Sequence, residues 1–313
     1  MEGDALVFRL ADPAHEHSAV GVWSDVELAV GPMAQVPGGW EVAIDRPDLD
    51  CLEYLLDLDG ELVPDPGNPD RIDGAFAPHS WLALPGYAEP AWLALEPRPG
   101  GLSDGVWEPH DGPLPLLLVH DGPEMDRFGQ ITRYAATRER EVRVALLAPG
   151  PRDATYSADP AYAARLVDHL LPALLEEHDT VGRPVLVGQS LGGLAALHAA
   201  WTSPAAFGGL VLQSGSFFTP ELDPQESGFG YFERVTDFVA SVLATATDPG
   251  LPPMAMTCGT AEENLANNRL LRDHLRAIGV DVTWGEARQG HTWTCWRDTL
   301  DPHLDAVMAR AWG

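Results

Sequence analysis

The chain has 313 residues, and its 47 acidic residues outnumber its 19 basic residues to give a formal net charge of −28. All 19 basic residues are arginine, which excludes chemistry that needs a lysine, such as a phosphate-binding P-loop or a Schiff base. The negative charge also repels phosphate backbones, so we expect no nucleic acid partner. A chain of this length is long enough for two domains.

The first part of the chain, residues 1–84, contains short runs in which apolar and polar residues partly alternate. Turn-rich stretches separate these runs, and no helical periodicity of useful length occurs among them. This pattern predicts a small β-sandwich. The runs are VFRL, AVGVW, WEVAI and CLEYLLDL.

The remainder of the chain, residues 85–313, begins with a stretch rich in Pro and Gly that ends at residue 113, and the sequence pattern changes after it. Apolar runs then alternate with helical patterns, which predicts a mostly parallel sheet covered by helices on both faces. Within the Pro- and Gly-rich stretch, AWLALE at 91–96 is interpreted as an edge strand. The predicted strands are 114–120, 142–150, 184–190, 208–216, 253–260 and 280–287, and the predicted helices are 131–140, 160–177, 191–201, 265–278 and one from 294.

Neither the cysteine content nor the N-terminal segment suggests export or a bound metal. Three cysteines are too few for a disulfide framework, and no CxxC pair suggests zinc. The first 17 residues open acidic without an apolar core and cleavage site, and no run of about 18 apolar residues occurs. We therefore expect a cytoplasmic protein that binds no membrane, cofactor or metal ion, while its oligomeric state stays open.

The segment Gly188-Gln189-Ser190-Leu191-Gly192 fits the G-x-S-x-G pattern between an apolar strand and a helix, which is the context that the pattern requires. A serine on so sharp a turn has a crowded backbone, which the flanking glycines relieve. The N–H groups at the start of the helix favour a developing negative charge. We interpret Ser190 as a nucleophile. The predicted fold class is α/β, with the N-terminal β-sandwich followed by an α/β-hydrolase domain.

A serine nucleophile needs a base, and in this fold the chain order is nucleophile, acid, base. His291 follows the last predicted strand in a loop that begins with glycine, whereas His274 and His303 lie within helical patterns, so His291 is the candidate base. Glu262 and Glu263 follow the preceding strand. Glu262 is the first candidate for the acid that orients the imidazole and Glu263 is the alternative, although two glutamates also simply favour the start of a helix.

An oxyanion hole needs two backbone N–H donors. Leu191, directly after the nucleophile, is expected to supply the first. The second is expected after the first predicted strand of the hydrolase domain, from Gly122 or Glu124, because Pro123 between them has no N–H.

Asparagine is scarce in this chain, yet three of its four asparagines, Asn264, Asn267 and Asn268, cluster beside the candidate acid. Such amides either cap a helix or bind polar groups of a substrate. The candidate substrate-binding residues are Asp121, Arg152, Asn268 and Arg269.

Four segments of the hydrolase part together resemble the esterase-D superfamily, and within it the enterochelin (enterobactin) esterase-like group of bacterial siderophore hydrolases. They are GQSLGGLAALHA, LVLQSGSFF, CGTAEENLANNR and GHTWTCWRD. The N-terminal PGGW, EYLLDLDG and DPGNP resemble the immunoglobulin-like early-set domain that precedes the hydrolase in those esterases. The resemblance covers nearly the whole chain.

The resemblance implies that the chain hydrolyses ester bonds of a trilactone or catecholate-type siderophore through an acyl-enzyme, with a ferric siderophore as a candidate partner. It implies Ser190 as nucleophile, His291 as base and most naturally Glu262 as acid. Some siderophore esterases use a Ser-His pair, which leaves the acid open.

A ferric tris-catecholate is anionic, so its long-range attraction to this acidic chain requires arginines near the pocket, such as Arg127, Arg152 and Arg269. A general carboxylesterase acting on feruloyl or acyl-sugar esters is a second interpretation, and it needs no such charge.

A third interpretation is a non-catalytic carbohydrate-binding protein. It would stack sugars on Trp23, Trp40 and Trp81. Core packing is the commoner use of tryptophan, and the complete serine and histidine machinery favours an enzyme.

Overall fold

The computed structural model describes residues 5–26, 28, 30–74 and 77–313, which form two compact units. The first unit comprises Met1–Ala88 together with two short segments from the far end of the chain, Gly259–Glu262 and Arg288–Thr292. The second unit comprises Glu89–Cys258, Glu263–Ala287 and Trp293–Gly313. The domain limits 1–84 and 85–313 stay predictions, and no local sequence pattern indicates that two distant segments join the first unit.

The described residues of the first unit form two antiparallel sheets. One has the strand order β1-β4-β3, and the other has the order β2-β5-β8-β7 with β6 also paired to β5. The strands are β1 Ala5–Ala11, β2 Val20–Ser24, β3 Ala34–Val36, β4 Gly39–Asp45, β5 Cys51–Leu58, β6 Glu61–Val63, β7 Arg71–Asp73 and β8 Pro78–Ala83.

The two sheets of the first unit share one apolar core. Along β1, Leu6, Phe8 and Leu10 are buried while the residues between them are not, as expected for a strand with one face on a core. Phe8 meets Tyr54 of β5 edge to face, with ring centroids 5.1 Å apart. The N-terminal part is therefore a β-sandwich, as the sequence predicted.

The second unit alternates strands and helices, as the apolar runs predicted. Its strands are β9 Gly101–Ser103, β10 Val106–Glu108, β11 Leu116–His120, β12 Arg143–Leu147, β13 Val185–Gln189, β14 Gly209–Gln213, β15 Met254–Gly259 and β16 Val282–Ala287. Its helices are α1 Gly122–Arg127, α2 Ile131–Thr137, α3 Arg152–Tyr156, α4 Pro160–Arg165, α5 Leu171–Glu177, α6 Leu191–Thr202, α7 Phe232–Leu243, α8 Leu265–Ala277, α9 Trp293–Asp298 and α10 Leu300–Trp312.

One sheet runs through the second unit in the order β16-β15-β14-β13-β11-β12-β10-β9. The pairs from β12 through β11, β13 and β14 to β15 are parallel, whereas β9 and β10 are antiparallel. The predicted α/β fold with a mostly parallel sheet is confirmed. Because parallel strands end at the same edge, the segments that follow β11, β13, β14 and β15 all leave from one edge of the sheet.

Both faces of this sheet are covered. Along β11, Leu116 and Leu118 belong to one buried cluster, and Leu117 and Val119 belong to another. Helix α6 contributes to the first cluster and α10 to the second. The continuous apolar run of β11 thus follows from burial on two faces.

The predicted edge strand at 91–96 is wrong. Residues Ala91–Ala94 form a single 3-10 turn, in which Trp92 is buried and meets Tyr134 edge to face with ring centroids 5.1 Å apart. Burying this large ring against α2 decides the local conformation, and β9 and β10 form the sheet edge instead. Helix α7 was also not predicted.

Among the described residues, no helix is both long and apolar enough to cross a membrane.

Candidate active site

The turn between β13 and α6 holds Ser190 in a strained backbone conformation, with φ 54° and ψ −126°. A side-chain-bearing residue adopts positive φ only when its surroundings enforce it. Ser190 N–H donates to the Gln213 carbonyl of β14 at 2.9 Å, and the Ser190 carbonyl accepts from Gly193 N–H at 3.0 Å and Ser216 N–H at 3.1 Å. These bonds hold the nucleophile candidate at the tip of the turn.

Two glycines permit this turn, because a side chain would clash at Gly188 and would be tightly packed at Gly192. A Cβ on Gly188 would lie 2.1 Å from the Gly192 carbonyl oxygen, well inside van der Waals contact. A Cβ on Gly192 would lie 3.1 Å from the Cβ of His120. The close approach of strand and helix therefore requires glycine at Gly188 and leaves little room for a side chain at Gly192.

Ser190 is half-buried, and its Oγ lies 3.3 Å from the Oγ of Ser216. Ser216 is itself buried in the segment after β14. Its own backbone N–H bonds to the Ser190 carbonyl, so Ser216 contacts the turn twice. Ser216 belongs to the segment LVLQSGSFF, and no local motif indicates a role for it.

The candidate oxyanion donors lie at two helix starts. Leu191 is the first residue of α6 and Gly122 the first residue of α1. The first N–H groups of a helix have no acceptor within it, so both can bind an anion. Glu124 lies in the same first turn of α1. A Cβ on Gly122 would lie 2.3 Å from the Leu146 Cα, which explains why the chain has glycine there.

His120 joins these two helix starts from a completely buried position at the end of β11. Its Nδ1 lies 2.8 Å from the Gly192 carbonyl oxygen of α6, and its Nε2 lies 2.9 Å from the Tyr162 hydroxyl. Because a carbonyl only accepts, Nδ1 carries the proton and Nε2 accepts from tyrosine. Burial lowers the pKa of His120 to about 4, so the ring stays neutral near pH 7.

Asp121 and Arg152 form a two-point ion pair beside this histidine. The Asp121 oxygens accept from Nε and Nη2 of Arg152 at 2.8 Å each, and the carboxylate is buried. The Asp121 N–H donates to the Tyr156 hydroxyl at 3.2 Å. The guanidinium charge of Arg152 is therefore balanced within the protein, a pairing that the sequence analysis did not foresee.

The first unit holds the candidate acid and base together. Nδ1 of His291 lies 2.5 Å from Oε2 of Glu262, whose carboxylate is completely buried. The other oxygen, Oε1, accepts from the Gly259 N–H. Glu263, the alternative acid, is exposed. A buried carboxylate on Nδ1 fixes the ring tautomer, so proton transfer would run through Nε2.

The asparagine cluster lies inside the second unit. Asn268 is fully buried; its Oδ1 accepts from the Gly215 N–H at 3.1 Å, and its Nδ2 donates to the Gly215 carbonyl at 2.7 Å. Asn267 donates to Asp223 at 2.8 Å. These amides brace the segment after β14, and no side-chain cap from Asn264 begins α8.

Arg269 is exposed and binds both oxygens of Glu286 at 2.8 and 2.7 Å. The pairing lowers the pKa of the Glu286 carboxyl, so the ion pair is charged at neutral pH. The substrate-binding roles of Asp121, Arg152, Asn268 and Arg269 stay predictions.

The described part of the first unit also contains a cluster that the sequence did not reveal. Nδ1 of His79 lies 3.4 Å from a Glu53 oxygen and 4.0 Å from an Asp25 oxygen. These three residues have the spacing of metal ligands. The hydrogen bond with the Glu53 carboxylate raises the pKa of His79. The three residues of this cluster come from separate segments of the chain, so no local sequence motif predicts the cluster.

The comparisons with known proteins agree with this fold. The family model described as "Putative esterase" matches residues 105–307, and the chain belongs to this family of esterases.

Within that family, the chain is 30% identical over 212 residues to the iron(III) enterobactin esterase of Dickeya dadantii (strain 3937), covering 59% of this chain and 46% of that protein. It is 31% identical over 134 residues to the iron(III) enterobactin esterase of Escherichia coli (strain K12), covering 42% of this chain and 31% of that protein. The matches thus span less than half the length of these curated relatives. The resemblance to enterochelin esterases is confirmed.

A crystal structure of the enterobactin esterase from Shigella flexneri in the presence of enterobactin has the same fold. It superposes with a TM-score of 0.76 and 20% sequence identity, covering 97% of this chain and 93% of that chain.

The contact between Gly188 and Gly192 leads to the first prediction. Gly188→Ala should lower the free energy of unfolding by about 1–3 kcal/mol, because its methyl group meets a backbone carbonyl that cannot move freely. Gly101→Ala is the matched control, since a Cβ there meets nothing within 4 Å. Urea unfolding measures both variants, and equal stabilities would contradict the steric argument.

The buried His120 makes stability depend on pH. The folded pKa of His120 is about 4 and lies below the ordinary histidine value of 6.5, so as the pH falls the unfolded chain binds the extra proton first. Its stabilising contribution is complete above about pH 6.5 and is lost as the pH falls toward 4, by at most about 1.4 kcal/mol per pH unit. His120→Asn should flatten this decline in urea unfolding between pH 7.5 and 4.5.

The matched control for this experiment is His110→Asn. His110 is exposed, and its pKa is raised by hydrogen bonds to the Asp111 carbonyl and to Glu141, so removing it should leave the decline as steep or steeper. His198 and His303, whose pKa values burial also lowers, remain in both variants. An unchanged slope in His120→Asn would show that this ring is not protonated on unfolding.

Proposed function

We propose that this chain is a serine esterase that cleaves carboxylic esters through an acyl-enzyme. The observation that carries the proposal is the strained backbone of Ser190 between a parallel strand and a helix. Strain of this kind persists where the surrounding structure enforces it, and it is commonest at functional sites. The buried bond between His291 and Glu262 supports the same reaction.

In the proposed mechanism, Nε2 of His291 takes the proton of the Ser190 hydroxyl as Oγ attacks the ester carbonyl carbon. The carbonyl oxygen becomes an oxyanion, which the N–H groups of Leu191 and Gly122 stabilise, with Glu124 as the alternative donor. His291 then returns the proton to the departing alcohol, and the acyl group remains on Oγ. Water attacks this acyl-enzyme with His291 again as the base, which releases the acid and restores Ser190.

Glu262 is the proposed acid of this triad. It keeps the His291 proton on Nδ1 in the resting state and stabilises the imidazolium that forms in each half-reaction. Its second oxygen is occupied by the Gly259 N–H, so the carboxylate cannot easily rotate away from the ring. Glu263 is exposed, which argues against a role in orienting a base.

We propose a trilactone or other catecholate-type siderophore ester as the substrate, with or without bound iron. The names of the relatives from Dickeya dadantii and Escherichia coli support this choice. One observation favours the second candidate, a general carboxylesterase. Arg152 and Arg269 are both paired with carboxylates, so neither adds a net positive charge for an anionic ester. A neutral ester needs no such attraction.

The interpretation as a non-catalytic carbohydrate-binding protein has less support than the two esterase candidates. Trp40 is buried, and its indole N–H donates to Asp12 at 3.1 Å. Trp81 meets Tyr87 edge to face at 5.3 Å. Packing therefore uses Trp40 and Trp81, whereas Trp23 is exposed.

A hydrolysis panel tests the proposal. It contains p-nitrophenyl acetate and butyrate, methyl ferulate, and a cyclic catecholate trilactone with and without iron, each measured beside Ser190→Ala. We expect the trilactone to be preferred by more than about tenfold in kcat/KM, which corresponds to about 1.4 kcal/mol of transition-state free energy. Turnover of simple esters alone would keep the mechanism and reject the siderophore, and no turnover at all would reject the esterase.

The two neighbouring glutamates allow a matched test of the acid. Glu262→Gln should lower kcat by about 10²- to 10⁴-fold, because the imidazolium loses its carboxylate partner. Glu263→Gln, which changes the next residue in the same way, should stay within about twofold of the wild type. Steady-state kinetics on p-nitrophenyl acetate measure both variants. No loss of kcat in Glu262→Gln would leave a Ser-His pair, and equal losses in the two variants would contradict Glu262 as the specific acid.

A further inference from the structure

The loop that carries His291 is tied to the N-terminal sandwich by its first residue. The Arg288 carbonyl accepts from the Asp50 N–H at 2.7 Å. The Arg288 guanidinium donates to one Asp50 oxygen from Nε at 3.0 Å and from Nη2 at 2.5 Å, and to an Asp48 oxygen from Nη1 at 2.8 Å. Both aspartates lie between β4 and β5, so a sandwich loop holds Arg288 by backbone and side chain together.

The rest of the loop packs on the same sandwich. A Cβ on Gly290 would lie 2.5 Å from the Val26 Cγ1, so the residue before His291 contacts the sandwich directly. Ala261, the residue before Glu262, packs against the apolar core of the sandwich. Its N–H also donates to the Gln289 carbonyl at 3.2 Å, which joins the acid loop to the base loop.

These contacts assign the two loops to the sandwich rather than to the unit whose strands they follow. Loops are ordinarily the mobile part of a fold, whereas a general base needs its ring held to within a fraction of an ångström. A loop tethered at Arg288 and packed at Gly290 leaves little freedom to the residue that follows.

We infer that the N-terminal sandwich positions the catalytic acid and base, with Asp50 and Asp48 acting through Arg288 as positioning residues. This inference rests on the proposed function, because it requires His291 to be the base. It differs from a lid or a wall over the substrate. A lid changes KM and substrate preference, whereas a positioning element changes kcat for every ester.

Asp50→Ala is the central variant, and Glu41→Ala is its matched control. Glu41 accepts from Arg9 Nε at 2.7 Å, so it forms another exposed ion pair in the same sandwich, between β1 and β4. Exposed ion pairs contribute little to stability, so both variants should fold with similar thermal midpoints. Asp50→Glu keeps the charge and serves as the conservative variant.

We expect Asp50→Ala to lower kcat on p-nitrophenyl acetate by about tenfold or more, with KM within about twofold of the wild type. The rate at which a fluorophosphonate labels Ser190 should fall in parallel, because this reaction also needs the base. Asp50→Glu should recover kcat to within about threefold, and Glu41→Ala should match the wild type. A kcat for Asp50→Ala equal to that of Glu41→Ala would overturn the inference.

Hydrogen exchange separates this inference from the proposed function. Amides of residues 288–292 should exchange faster in Asp50→Ala than in Glu41→Ala, whatever the activity. Faster exchange with an unchanged kcat, or unchanged exchange in this loop, would overturn the positioning role. Full activity of His291→Ala would instead reject His291 as the base, and with it the proposed triad.

Discussion

The turn at Ser190 requires β13 and the first turn of α6 to approach until the Gly188 Cα and the Gly192 carbonyl leave no space for a side chain. Backbone strain of this type costs about 1–3 kcal/mol, so neighbouring structure must enforce it. Backbone hydrogen bonds between Ser190 and three residues, Gln213, Gly193 and Ser216, enforce this conformation. The buried parallel strands on which these bonds depend are thus as important to the proposed chemistry as the serine itself.

His120 extends the same constraint to the other half of the proposed oxyanion hole. Because its ring bonds to the Gly192 carbonyl, the end of β11 and the start of α6 cannot move independently. The Tyr162 hydroxyl bonds to Nε2 on the other side of the ring. The next residue along the chain, Asp121, is held by its ion pair with Arg152. A neutral buried ring suits this role, since the neighbouring Asp121 carboxylate is already paired with Arg152 and a charged ring would lack a carboxylate of its own.

Local patterns predicted most of the fold and pointed to the two candidate reactive residues, Ser190 and His291. The strand, the G-x-S-x-G turn and the helix at Ser190 are adjacent in sequence, and apolar runs identify strands buried on two faces. Contacts between residues that are far apart in the sequence could not be predicted from local patterns. Asp121 neutralises Arg152 across 31 residues, and Asp50 holds Arg288 across 238. The prediction of a strand at 91–96 was wrong because an apolar run does not indicate that Trp92 packs on Tyr134, which favours the turn at Ala91–Ala94.

The first unit draws on three separate stretches of the chain, the last of which is Arg288–Thr292. During synthesis, the strands of the sandwich emerge first, while the piece that completes the unit emerges only after nearly all of the other unit has been made. Contacts of such high sequence separation form late, because the entropy of closing a long loop must be overcome first. A chain that is still growing on the ribosome therefore contains the serine turn well before the histidine loop, so the proposed triad can assemble only after Arg288–Thr292 has been made.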